Sequence, residues 1–186
     1  MQVLVDFDPQ IPKNRITRLH YGSPLENALW LDRRLDTLRM TEFMLQHGAD
    51  ASFDLSDGGP MAHAILSPWP ELVRLLEIYD AKPMPLEYEL RLLPRAAHKG
   101  NLEAVIRLVE KGADIEDPCG KAPCEGSPLY NAVSCRHAAV VEYMLRAGAD
   151  PIGPGWRGRS LLEIAQRAGP VLKGIVDLLL EYGARA

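Results

Sequence analysis

The chain has 186 residues, a formal charge of −4, 47% hydrophobic residues and 25% charged ones. That length suits one globular domain or a short repeat array, and the balance is that of an ordinary folded chain rather than a disordered or membrane-embedded one. The negative charge argues against nucleic acid as a partner, and three cysteines without framework spacing point away from a secreted disulfide scaffold and toward an intracellular, cytoplasmic setting, with the nucleus left open.

The N-terminal stretch MQVLVDFDPQIPKNR sets Asp6 and Asp8 directly after a short apolar run. It lacks the apolar core of a signal peptide, and no later segment approaches the ~18 apolar residues of a membrane span. No membrane association is expected. Residues 1–20 match nothing that follows and are assigned to an N-terminal cap. With aromatics at only 6%, the core is expected to be aliphatic and helical.

From residue 21 onward one small unit recurs. The first opens at Ser23-Pro24-Leu25, places a small residue at Ala28 and closes on His47-Gly48-Ala49-Asp50. The second opens at Gly59-Pro60-Met61, has Ala64 at the same offset and closes on Tyr79-Asp80-Ala81. The third runs from Arg91-Leu92-Leu93-Pro94 through Ala96-Ala97 to Lys111-Gly112-Ala113-Asp114, and its second helix carries Leu102, Val105, Leu108 and Val109 at helical spacing. The fourth opens at Ser127-Pro128-Leu129, holds Ala132 and closes on Gly148-Ala149-Asp150. The fifth opens at Ser160-Leu161-Leu162, holds Ala165 and closes on Tyr182-Gly183-Ala184.

Each opening supplies an N-cap oxygen or a proline whose missing N–H costs nothing in the first turn. Each closing glycine suits a left-handed position just past a helix. Small residues at the fixed offset let neighbouring short helices approach closely.

These features resemble ankyrin repeats, with their T-P-L-H-x-A-A-x-x-G opening and L-L-x-x-G-A-D close. The best opening is Ser127-Pro128-Leu129-Tyr130-Asn131-Ala132, and the best second half runs from Ala96 to Asp114. Units starting near 23, 59, 91, 127 and 160 are separated by 36, 32, 36 and 33 residues, around the ~33-residue period of that family. The resemblance implies an all-α ankyrin-repeat solenoid of paired antiparallel helices with β-turn loops, occupying residues 21–186.

Several departures carry expectations. Four extra residues between Ala28 and Gly48 call for a longer helix or a bulged inner loop. Asp80 stands where glycine is expected, which aspartate tolerates better than most residues. Pro94 leaves the first helix of the third unit the least regular, so the second and third units are expected to be the weakest part of the array. At the C-terminus, Leu172, Ile175, Leu178 and Leu179 lie on an apolar last helix. A terminal repeat needs a polar outer face, so this edge is read as a shallow exposed apolar patch or, alternatively, as a contact for self-association or partner docking.

The family binds partners through turn tips and the exposed face of the short helices. Carried over, that role falls on Trp30, Leu66, Tyr88, His98, Lys99, Ser134, Trp156, Arg157, Arg159 and Arg167, with Trp30, Tyr88 and Trp156 as aromatic anchors. Cys119, Cys124, Cys135 and His137 are zinc-ligand types at a spacing that matches no standard finger, so no metal is expected. Arg33, Arg34, Trp156, Arg157, Arg159 and Arg167 are candidates for the basic ends of a groove for an acidic peptide, phosphate or nucleic acid, with solvated arginines as the preferred reading given the net charge of −4. His98, Tyr88, Tyr130, Glu26 and Glu163 are the acid–base candidates of a catalytic alternative. No nucleophile, phosphate loop or metal motif accompanies them, and no cofactor is expected. The reading is therefore a non-catalytic module for a protein or peptide partner. Its alternatives are a groove that binds or transforms a small molecule, and an assembly module acting through the C-terminal repeat.

Overall fold

The computed structural model describes residues 25, 29, 34–51, 59–118, 126–153 and 159–185. The assigned cap at 1–20 lies outside them. The chain divides into two compact units, Met1–Pro85 and Leu86–Ala186. Among the described residues it is helical, with no strand beyond an isolated bridge at Gly126, and none of their helices is long and apolar enough to cross a membrane.

In the first unit, helices α1 (Arg34–Gln46) and α2 (Gly59–Ile65) each pack on α3 (Glu71–Ile78). Helix α1 has 13 residues against 8 for α3, so the extra residues of the first repeat enter a longer helix. Every residue of α2 is buried. Leu72 and Leu76, one turn apart on α3, are 0% exposed and anchor its apolar stripe.

The second unit contains α4 (Leu86–Leu90), α5 (Leu93–Lys99), α6 (Leu102–Glu110), α7 (Pro128–Ser134), α8 (Ala138–Arg146), α9 (Leu161–Arg167), a 3-10 turn (Gly169–Leu172) and α10 (Lys173–Glu181). Its topology is a stack of pairs. Helix α5 packs on α6, α7 on α8 and α9 on α10; the short helices follow one another as α5, α7, α9, and the long ones as α6, α8, α10. Ala96, Ala132 and Ala165, at one position of the repeat, are all 0% exposed. A larger side chain there would hold the short helices apart.

Local capping fixes three of these starts. Ser127 Oγ accepts from the Tyr130 N–H and Asn101 Oδ1 from the Ala104 N–H. Ser160 and Glu163 form a reciprocal capping box. Pro94 sits within the first turn of α5, where its missing N–H leaves no gap.

The recurring Gly-Ala pairs end the long helices in one geometry. Gly48, Gly112, Gly148 and Gly183 have positive φ. The following alanine donates its N–H five residues back, Ala113 to Leu108 at 2.9 Å, Ala149 to Met144 at 3.0 Å and Ala184 to Leu179 at 2.8 Å. This is a Schellman closure, and the alanine then tucks into the core. Asp80 keeps the same closure at φ 60, with Ala81 donating to Leu76 at 3.0 Å.

Two expectations are corrected here. Leu172, Ile175 and Leu179 are 4%, 2% and 0% exposed, so the last helix turns its apolar stripe onto its own unit, and Leu178 is half-buried. Among the described residues, the large exposed apolar side chains at this end are Leu180 and Tyr182. Leu66, assigned to a partner surface, is 2% exposed and belongs to the core, because the chain end of α2 folds inward.

Candidate functional site

The short helices α5, α7 and α9 lie side by side, and each spends its small and aliphatic residues on the core. What remains outward is polar. Lys99, Ser134, Arg136 and Arg167 are exposed, while Arg95, His98, Tyr130 and Cys135 are half-buried. Each side chain owes its place to the repeat register, since positions three and four apart share one helix face.

Direct contacts lock the ends of α5 and α7 together. Cys135 Sγ lies 3.2 Å from His98 Nδ1. Burial pushes the Cys135 thiol upward from its ordinary pKa, and the imidazole tautomer sets which of the two groups donates. His137 Nε2–H in turn donates to the His98 carbonyl at 3.0 Å. His98 is thereby held from both sides. Beside it, burial of the ammonium and then the neighbouring Arg95 lower Lys99 to about 8. The residue as a whole still reaches solvent, and screening tempers that push.

Glu163 is committed to its own helix start, where Oε2 accepts from the Ser160 N–H at 3.0 Å. Tyr88 lies on α4 rather than at a turn tip, because Leu86–Leu90 forms a helix that packs on α6. Its neighbour Glu89 is buried and pairs with Lys111 at 2.6 Å. Sequence reading missed this helix; Pro85 before an acidic–apolar pentapeptide was the available signal. Glu26, Trp30, Trp156 and Arg157 lie outside the described residues, as do Arg33, Cys119 and Cys124. Arg159 is exposed at the entry to α9. Among the described residues no group of three or more His, Cys, Asp or Glu side chains is placed to hold a metal ion.

A row of short helices backed by a row of longer ones, each pair closed by the same glycine turn, defines a helical-repeat protein. The family profile "Ankyrin repeats (3 copies)" matches residues 93–186, and the chain belongs to the ankyrin repeat family. Such repeats generally serve protein–protein interaction. Among solved structures, the human ASB11 ankyrin repeat domain is similar, with a TM-score of 0.58 and 21% identity over 99% of this chain and 77% of that one. At that identity the likeness establishes the fold alone. A search of curated proteins gave no match.

Proposed function

We propose that this chain is a non-catalytic recognition module that binds a protein or peptide segment across the exposed face of α5, α7 and α9. The observation that carries this reading is the outward row of Lys99, Ser134, Arg136 and Arg167 over a closely packed alanine floor. A rigid floor with adaptable polar side chains is what a binding surface requires, because ordering costs little on contact. Arg159 at the entry to α9 extends the same surface.

The test is selection of binders from a random peptide library against the intact chain, with the footprint mapped by hydrogen exchange. Protection is expected at 93–99, 128–136 and 161–167. A footprint confined to α6, α8 and α10, or a selection that yields no binder, would overturn the reading.

A further inference from the structure

We infer that the segment recognised by this face is an acidic peptide, read by Lys99, Arg136 and Arg167. The inference rests on the recognition reading above and gives its partner a chemistry.

The backbone at Arg136 is the first observation. In the second unit the repeat places a left-handed residue just after each of α5, α7 and α9. Gly100 fills it after α5 at φ 71 and Gly169 after α9 at φ 78, whereas after α7 an arginine adopts φ 66. A side chain in that region is strained, and such strain persists only where the surroundings hold it. Here the turn is closed by the same bonds that a glycine would make, Arg136 N–H to Val133 at 3.1 Å and His137 N–H to Ala132 at 2.9 Å. The fold gains nothing local from a cation at this position, and the side chain is exposed.

The second observation is what surrounds it. The Cys135–His98 contact fastens the end of α7 to the end of α5, and Lys99 and Arg136 are the next residues along from that contact. Arg167 holds the last turn of the adjacent α9, so three exposed cations gather at one end of the row.

The third is the sign of the charge. The sole carboxylate on α5, α7 and α9 is Glu163, and it is turned back onto its own N-cap. The long helices differ: α6, α8 and α10 carry Glu103, Glu110, Glu142, Asp177 and Glu181 interleaved with Arg107, Arg146 and Lys173. A net charge of −4 thus conceals one face of opposite sign. Complementary potential steers encounter and selects partners. Lys99 is lowered first by burial and only then by Arg95, and that second cause agrees with a cationic locale. A long polyanion such as nucleic acid would also meet the acidic remainder of the molecule, whereas a short acidic segment confined to the row would not.

Peptides selected on the intact chain should be enriched in Asp and Glu. Their affinity should fall with rising salt, and by about tenfold in R136G and in K99Q/R167Q. The glycine variant is informative because it relaxes the backbone while deleting the cation, so lost binding with an undiminished unfolding midpoint cannot reflect unfolding. Neutral or basic peptides that bind with the footprint on α5, α7 and α9 would overturn the acidic chemistry and leave the recognition reading standing. Acidic peptides whose affinity is unchanged in both variants would also overturn it. So would a single-stranded RNA oligonucleotide that binds more tightly than the selected acidic peptides.

Discussion

The imidazole of His137 occupies the space that a β-carbon on Gly100 would need. One repeat thus reaches over the helix end of the one before it, and the same ring donates to the His98 carbonyl. The glycine serves two ends at once, a left-handed turn at φ 71 and clearance for the next repeat.

Gly100→Ala is therefore expected to cost about 2–3 kcal/mol, combining backbone strain with displacement of His137. Gly112→Ala, at φ 94 with nothing within 4 Å of the added carbon, should show the backbone part alone, about 1 kcal/mol. Urea unfolding of the two variants compares them. Equal losses would mean that the histidine simply moves aside.

Arg136→Gly should stabilise the second unit by about 1 kcal/mol, because it removes a left-handed side chain from a turn already closed by backbone bonds. Asp80→Gly should gain less in the first unit, since aspartate tolerates that region better. Thermal or urea midpoints read both, and a loss of stability in Arg136→Gly would show that the arginine makes a stabilising contact after all.

Lys99 should be the first lysine acetylated under limiting reagent near neutral pH, ahead of Lys82, Lys111 and Lys173, read by mass spectrometry of peptides. With its amine lowered to about 8, a larger share is unprotonated there. The stability consequence has a definite sign. Below about 8 the ammonium is charged in both states and the folded form bears its burial. As pH rises from about 8 toward 10.5 the unfolded chain retains more protons, so this residue's contribution to stability increases. Arg95→Gln should shift the titration upward in an NMR experiment, by removing the second cause.

Ala132→Leu should destabilise by about 2 kcal/mol, since Ala132 is fully buried between stacked short helices and has no room for three more carbons. Ala147→Leu, on an exposed helix end, serves as the control and should stay within about 0.5 kcal/mol. Similar effects at both sites would disprove close packing of the short-helix row.

Lys111→Met should loosen α4 by removing the partner of the buried Glu89 carboxylate. The loss is expected at about 1 kcal/mol, because the lysine itself is substantially exposed. Hydrogen exchange should quicken over Leu86–Leu90 before it quickens in α7 or α8. Unchanged exchange there would mean that packing on α6 alone holds the helix.

Much of the repeat architecture was legible in short-range chemistry. The Gly-Ala pairs, the serine caps and the alanine offset each act within a turn or two of chain, so their positions alone specified helix ends. Even the altered terminator at Asp80 kept its geometry, because the closure depends on backbone bonds and a tolerated φ. Less was legible of the candidate site. Tyr88 read as a turn tip from its position in the repeat register, yet Leu86–Leu90 form a helix secured by an ion pair 22 residues away.

Which faces are buried required the stack itself. Leu172, Ile175 and Leu179 read as an apolar edge from spacing alone, but only the placement of α10 against α8 and α9 shows that they point inward. Arg136 was one more arginine in the sequence; the tertiary structure gave it a left-handed backbone and set it beside Lys99 through the Cys135–His98 contact. Caps and terminators are local and can be read along the chain. Burial, and the sign of a surface, depend on neighbours contributed by other repeats, and only folding brings those together.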